Sequence, residues 1–324
     1  MRREAQPPNS LRIATRQSPL ALWQAEHVKA QLHAAHPDLT ITLIPLSTAG
    51  DRMLSQTLAG VGGKGLFVKE LEDALLENRA DLAVHSMKDV TVHVPPGLCL
   101  SAFLAAEDPR DALVSNRYAT LVELPRGARV GTSSLRRKSQ LLALRPDLVV
   151  EDLRGNVGTR LTRLDENKFD AVLLACAGLK RLGFASRIRE ALDVDRFVPA
   201  IGQGVIGIEC RAADVATRKL LLPLNDAASA TRLAAERALN AGLGGSCQAP
   251  VAGHAVLRES GIGNRESQKT LCLTGLVAVP DGSRIVKDQI EGRADAAAEL
   301  GIRLADRLLA AGGREILRAL ADDA

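Results

Sequence analysis

The sequence predicts an α/β protein with two doubly wound domains and a smaller α+β domain toward its C-terminal end. Three observations lead there. Short apolar runs alternate with amphipathic stretches along the first two-thirds of the chain, the pattern restarts after Pro109, and the final third changes to strand-like runs followed by one amphipathic helix. Strands alternating with helices at this spacing argue for parallel sheets covered on both faces. A length of 324 residues also exceeds what one core of ordinary size holds.

Taken in order, "LRIAT" (Leu11–Thr15) reads as a buried strand, and "SPLALWQAEHVKAQLHAA" as a helix with Ser18 as N-cap and Pro19 at its first position. "ITLIPL" is the next strand, "LFVKELEDALLENR" a helix and "DLAVHS" a strand. After the expected hinge at "EDPRD" come strand "ARVGT", helix "SLRRKSQLLALR", strand "DLVVEDL", helix "VGTRLTRLDEN", strand "DAVLLAC" and helix "AGLKRLG". The glycine-rich "AIGQGVIGIEC" is expected to carry the chain back to the first domain. A helix over Ala227–Asn240 ends at Gly242, which suits a left-handed C-cap. Strands "VAGHAVL", "KTLCLTGLVA" and "SRIVKDQI" and helix "DAAAELGIRLADRLLAAG" complete the chain. The expected domains are 10–104 with 204–222, then 105–203, then 223–324.

Composition narrows the function. Lys and Arg number 42 against 38 Asp and Glu, so any cationic site is local. Aromatics are 2% of residues, which leaves almost nothing for bases to stack on and argues against nucleic acid. No apolar run approaches the roughly 20 residues of a membrane helix. "MRREAQPPNS" lacks the apolar segment of a secretory signal. The five cysteines (99, 176, 210, 247 and 272) show no paired spacing. Scattered thiols without an export signal predict a reduced, cytoplasmic protein. The six histidines show no metal spacing, so no metal is expected. "GVGGKG" lacks the ending and spacing of a nucleotide-binding loop.

In open sheets, ligands bind beyond the carboxyl ends of the strands, where helix N-termini present free N–H groups. The polar residues of this chain cluster at those junctions. Arg16, Gln17 and Ser18 follow the first strand; Ser86, Lys88 and Asp89 follow "DLAVH". Thr132, Ser133, Ser134, Arg136 and Arg137 follow "ARVG"; Arg154, with Arg160 a turn on, follows "DLVVEDL"; Lys180 and Arg181 follow "DAVLLAC". Lys64 lies in a glycine-rich stretch before another helix. One arginine is ordinarily a solvated surface group. Recurrence at five junctions predicts an anion-binding crevice suited to several carboxylates, since each charge-assisted bond contributes about 1.5–3 kcal/mol. Asp89 among these cations is either a functional carboxylate or a neutraliser of Lys88. Cys247, bracketed by glycines and a proline, sits on a loop and is the best nucleophile candidate of the five thiols, with an inert thiol the alternative.

Several segments resemble the porphobilinogen deaminases, also called hydroxymethylbilane synthases: "LRIATRQSPLALWQA", "GGKGLFVKELEDALLENRADLAVHSMKDV", "EDPRDALVSN", "VGTSSLRRKSQL", "LRGNVGTRL", "AGLKRLG", "PAIGQGVIGIECR" and the Cys247 loop. The resemblance runs from Leu11 to Pro250, with a looser fit beyond. It implies a fold of two domains like those of periplasmic binding proteins plus a small domain carrying the cysteine loop. It also implies a transferase of tetrapyrrole (haem) biosynthesis that joins four porphobilinogen molecules head to tail, releases ammonia and yields linear hydroxymethylbilane. The implied cofactor is a dipyrromethane held by a thioether to Cys247. Asp89 matches the catalytic aspartate, with Lys88 and Arg16 beside it. Lys64, Thr132, Ser134, Arg136, Arg137 and Gly178 are implied on the cofactor, and Arg16, Ser18, Phe67, Arg154, Arg160, Arg181 and Gln203 on the substrate; among these Ser18, Lys64, Thr132 and Ser134, together with Ser133, match the pocket more loosely. Thr91 stands where the family commonly has proline. Gly244, Gly245 and Ser246 stand where Glu-Gly-Gly is frequent, and Ala49 and Gly60 where basic residues are frequent. A monomer acting on a small molecule, without nucleic acid or membrane, is expected. A polycarboxylate-binding protein would use the same layout without a covalent adduct, and a basic RNA-binding module would need more aromatics.

Overall fold

The computed structural model describes residues 9–52, 65–245, 249–260 and 268–322. Lys64, Cys247, Gly60 and Ser246 lie outside them. The chain opens with β1 (Ser10–Arg16), whose Leu11, Ile13, Ala14 and Thr15 are buried. Helix α1 (Pro19–Ala35) starts where the sequence expects: the Ser18 hydroxyl accepts from the Ala21 amide at 3.3 Å and proline fills the first turn. β2 (Thr40–Leu46), the single turn α2 (Ala49–Arg52), α3 (Lys69–Leu76) and β3 (Leu82–Ser86) follow, and β3 runs into a 3-10 turn at Met87–Asp89. The helix expected over "LFVKELEDALLENR" is thus shorter at both ends. β4 (Leu98–Phe103), which the sequence analysis did not anticipate, completes this stretch.

The next stretch holds β5 (Asp111–Val114), β6 (Arg129–Gly131), α4 (Leu135–Leu144), β7 (Val149–Glu151), α5 (Val157–Asp165), β8 (Ala171–Ala175), α6 (Cys176–Arg181) and β9 (Glu190–Ala191). Ser134 caps α4 by accepting from the Arg137 amide at 3.4 Å, and Asn156 caps α5 by accepting from the Thr159 amide at 2.9 Å. The chain then forms β10 (Ile206–Arg211), α7 (Val215–Leu221) and α8 (Ala227–Gly242). Three antiparallel strands, β11 (Val251–Ser260), β12 (Gln268–Ala278) and β13 (Ile285–Arg293), precede α9 (Ala297–Leu308) and α10 (Arg314–Asp322).

These elements gather into two compact units, 1–106 with 205–230 and 107–204 with 231–324. The first holds a sheet in the order β2-β1-β3-β10-β4. Its two faces bury separate apolar clusters, one built around Ile13, Val28, Leu32 and Ile208 and one around Ala14, Leu71, Leu75 and Ala83. The second holds β7-β6-β8-β5-β9, with Val130, Leu141 and Phe197 on one side and Leu161, Val172 and Leu179 on the other, together with the three-stranded sheet β11-β12-β13 under α9 and α10.

The expected parallel sheets are mixed. β1 pairs in parallel with β2 and β3, but β10 is antiparallel to both β3 and β4, and β5 is antiparallel to β8 and β9. The reason is where the chain enters. Ile206 lies opposite Ser86, at the carboxyl end of β3, and Asp111 lies opposite Ala175, at the carboxyl end of β8. A strand starting from that end runs against its neighbour, whereas a parallel neighbour needs a crossover back to the other end. Gly204 makes the entry into β10 possible: its φ is +91°, and a Cβ there would sit 2.3 Å from the Glu107 carbonyl oxygen.

Candidate active site

In the first unit, β1 and β3 deliver Arg16 and the Ser86–Asp89 segment to the same sheet end. A cavity of about 60 Å³ there is lined by Arg16, Ser18, Gln24, Phe67, Lys88 and Asp89 among others. The Arg16 guanidinium lies 4.2 Å above the Phe67 ring centroid, and its Nη1 is 3.9 Å from Asp89 Oδ2. An aromatic face attracts a guanidinium and holds its plane, so stacking on Phe67 helps to orient Arg16. The Gln24 amide donates to Ser86 Oγ at 2.8 Å and steadies the start of the turn that carries Asp89. Gln24 is 2% exposed, on the buried stripe of α1.

Behind that turn lies a buried acid cluster. His85 Nε2 and Glu209 Oε2 are 3.0 Å apart, and Glu209 Oε1 is buried without a partner. Burial, then the neighbouring charge of Glu209, push the Glu72 carboxyl up to about 7, and His85 opposes the rise.

The second unit presents a denser group at its own strand ends. Asp111, wholly buried at the start of β5, is gripped by two consecutive arginines of α4. Arg136 Nη1 donates to Asp111 Oδ2 at 2.7 Å and to the Val198 carbonyl at 2.8 Å; Arg137 Nε donates to Asp111 Oδ1 at 2.8 Å and its Nη1 to the Leu173 carbonyl at 2.9 Å. Gln203 Nε2 donates to Asp111 Oδ1 at 3.1 Å and to the Pro109 carbonyl at 2.7 Å. Burial alone would raise the Asp111 carboxyl; the charges of Arg136 and Arg137, with the Arg136 and Gln203 hydrogen bonds, outweigh it and hold it well below the usual carboxylate range. Burial also pulls the Arg136 guanidinium down. The group is therefore two cations around one anion, a buried surplus of positive charge.

Thr132 and Ser134 adjoin this group, with the Ser134 amide donating to Thr132 Oγ1 at 3.2 Å. Ser133 Oγ, between them in sequence, is buried with no hydrogen-bond partner. The remaining cations of this unit follow the next two strands. Arg160 Nε donates to the Gly155 carbonyl at 2.7 Å across a loop that turns at Gly155, φ +110°, and Arg154 stands one residue before that glycine. Arg181 Nη2 donates to the Gly204 carbonyl at 2.6 Å; burial pulls its guanidinium down. Gly178 is buried in α6, and Lys180 reaches Glu107 at 3.1 Å and Asp108 at 3.0 Å.

The structure thus brings Arg16, Ser18, Phe67, Lys88 and Asp89 together in one unit, and Arg136, Arg137 and Gln203 around one carboxylate in the other, with Thr132 and Ser134 at the N-terminal end of α4. Sequence reasoning missed Asp111 and Gln24. Asp111 carried a usable signal, an acid opening an otherwise apolar strand. Gln24 carried a weaker one, an amide on the apolar stripe of its helix. A buried cationic surplus beside an unsatisfied hydroxyl fits a ligand bearing several carboxylates, because such a ligand supplies both the missing negative charge and acceptors. Among the described residues, no group of three or more His, Cys, Asp or Glu could hold a metal ion, and no helix is long and apolar enough to cross a membrane.

Comparison with solved structures finds low-identity likenesses. A putative methionine-binding lipoprotein from Bacillus subtilis is 13% identical over 67% of this chain and 90% of its own, with a TM-score of 0.43. The periplasmic aliphatic sulphonate binding protein from Escherichia coli is 14% identical over 72% and 70%, with a TM-score of 0.38. The periplasmic VFT2 domain of Bordetella pertussis BvgS is 17% identical over 66% and 85%, with a TM-score of 0.39. Family comparison is decisive. Residues 11–219 match "Porphobilinogen deaminase, dipyromethane cofactor binding domain", and residues 230–310 match "Porphobilinogen deaminase, C-terminal domain". The chain belongs to the porphobilinogen deaminase family, which polymerises porphobilinogen into hydroxymethylbilane with a dipyrromethane cofactor.

Proposed function

We propose that the open cluster of the first unit performs the chemistry of this polymerisation, with Asp89 as its catalytic carboxylate, while the buried cluster of the second unit holds carboxylates. The observation carrying this reading is the Asp89 side chain, which faces Arg16 at 3.9 Å in a cleft lined by Lys88 and Phe67. Loss of ammonia from the aminomethyl group of porphobilinogen leaves positive charge on the pyrrole nitrogen. A carboxylate fixed before that charge develops stabilises it without reorganising. The same oxygen can accept the proton lost when the coupled ring regains aromaticity. Arg16, Ser18 and Lys88 offer donors to the acetate and propionate groups of the incoming substrate, and Phe67 covers its ring. Arg154, Arg160, Arg181 and Gln203 are the second unit's donors for substrate carboxylates.

Arg136, Arg137, Thr132, Ser133, Ser134, Gly178 and Lys64 would hold the dipyrromethane, with Cys247 as its thioether anchor. When bound, the cofactor supplies the covalent primer on which the chain of pyrroles is built. Tethering converts each coupling from a bimolecular to an effectively intramolecular step. Support for the anion-binding role comes from the cationic surplus around Asp111 and from the unsatisfied Ser133 hydroxyl.

The three-domain division, 10–104 with 204–222, 105–203 and 223–324, is part of the same proposal and is supported by a separate apolar core under each sheet. So is a cytoplasmic monomer that needs neither nucleic acid nor membrane. Light scattering at the 34.4 kDa of one chain tests the monomer, and a dimer would overturn it.

Asp89→Asn tests the catalytic assignment. Single-turnover ammonia release should fall at least about 10²-fold with substrate still bound, the low end for acid–base roles. Near-normal release removes Asp89 from the mechanism. For the anchor, the intact mass of the wild type should exceed the sequence mass by a dipyrromethane, and Cys247→Ser should lose that excess. A Cys247→Ser protein that kept it would move the thioether elsewhere.

A further inference from the structure

The cysteines outside the proposed cofactor loop are not equivalent. Cys176 and Cys272 are buried: burial pushes the Cys176 thiol up to about 12 and also raises that of Cys272. Cys272 faces Val256 and Glu291 across its ladders. Cys99 and Cys210 face each other. They are direct partners in the antiparallel β4–β10 pair, and both side chains pack on the same apolar cluster. On one side of this pair the Ala212 amide donates to the Gly97 carbonyl at 2.8 Å, and on the other the register shifts between Ile208 and Glu209, which leaves Ser101 outside the ladder pairing.

Directly opposed residues of an antiparallel pair have Cα atoms about 4.5–5.5 Å apart, inside the roughly 4.4–6.8 Å span that a disulfide bridges. One hydroxyl touches both sulfurs: Ser101 Oγ is 3.2 Å from Cys99 Sγ and 3.0 Å from Cys210 Sγ. β4 is the edge strand of its sheet, and Cys99 is half-buried while Cys210 is buried. Of the two, Cys99 is therefore the more open to a small solute.

We propose that Cys99 and Cys210 form a reversible redox site, closing to a cross-strand disulfide when the protein meets a hydroperoxide. Cys99 sulfur attacks the peroxide oxygen and breaks the O–O bond; a sulfenic acid forms and one water, or an alcohol, leaves. Cys210 sulfur then attacks Cys99 sulfur, the S–S bond forms, and the hydroxyl departs with the Cys210 proton as a second water. Two electrons pass from the thiol pair to the peroxide. Ser101 donates to whichever sulfur carries negative charge. Burial pushes the Cys210 thiol up to about 11, with the Ser101 hydrogen bond opposing, so Cys210 suits the second step rather than the first. Thiol–disulfide exchange reopens the bond, as a reducing compartment requires.

The test uses the holoenzyme treated with hydrogen peroxide, then unfolded in excess iodoacetamide and digested without reductant. The expected result is a peptide pair joined through Cys99 and Cys210, a loss of about 2 mass units from the intact protein, and reversal of both by dithiothreitol. In Cys99→Ser the joined pair should vanish and Cys210 should be recovered alkylated. Wild-type protein in which Cys99 is oxidised to the sulfinic acid while Cys210 stays an alkylated thiol would overturn the proposal. So would a joined pair found only between two protein chains. The wild-type digest decides the matter even if the variant folds poorly.

Discussion

The two charged clusters are built from the same residue types and treat them oppositely. In the first unit, Arg16 and Asp89 are 3.9 Å apart with side chains 21% and 34% exposed. In the second, Arg136 and Asp111 meet at 2.7 Å with side chains 6% and 0% exposed, and Arg137 joins them at 2.7 Å. A solvent-exposed pair contributes only about 0–1 kcal/mol, so either partner can turn to a ligand at small cost. A buried pair is committed, since removing one partner strands the other in a medium that cannot solvate it. The open cluster is thus suited to charge that appears and disappears, and the buried one to charge that must stay in place.

Breaking the buried side should produce the largest effect. Asp111→Asn leaves two guanidiniums without their anion and should lower stability by about 3–5 kcal/mol, read from the urea midpoint of the holoenzyme. A loss below about 1 kcal/mol would mean the arginines find other acceptors and the contrast between the clusters is false. Arg16→Met, on the open side, should leave stability nearly unchanged and slow turnover about tenfold or more, the rate equivalent of one charge-assisted bond. Because its proposed action passes partly through Asp89, the double variant with Asp89→Asn should be less impaired than the product of the single losses. Strict additivity would separate the two roles.

The smallest effect sharpens the comparison from within the first unit. Glu72 titrates near 7 in the folded protein, above the ordinary 4.5 of an unfolded chain, chiefly because it is buried. The folded state therefore binds more protons than the unfolded state between those values. Its contribution to stability is full below about pH 4.5 and is lost as pH rises through about 7. Glu72→Gln should flatten that decline, measured by thermal midpoints across the range. Asp111, whose carboxyl is depressed, should act in the opposite sense and cost stability only when acid protonates it. An unchanged slope in Glu72→Gln would place the titration elsewhere.

Much of this was legible before any coordinates. Ser18 with Pro19 announces a helix start through local chemistry, and Ser18 caps α1 as that chemistry requires. The alternation of strands and helices gave the sheet-rich units because it reflects burial period, a property of neighbouring residues. The directions of β5 and β10 did not follow, since direction depends on which end of a distant sheet the chain reaches. The arginines show the same limit at the site. Arg136 and Arg137 were visible as a cation pair, but their use of Asp111, at sequence separations of 25 and 26, was not. Local sequence gives a charge its position along the chain, and only the fold gives it a partner.

The place of β10 between β3 and β4 has a consequence for synthesis. β4 reaches the sheet edge only through β10, and β10 begins at Ile206, after the whole of β5 to β9 has been translated. At roughly 5–20 residues per second, a ribosome leaves the unpaired sides of β3 and β4 waiting for several seconds. Nascent protein arrested before Ile206 should therefore expose Leu82, Val84 and Ala102 to holdase chaperones, and its N-terminal sheet should resist protease only once Arg211 has emerged.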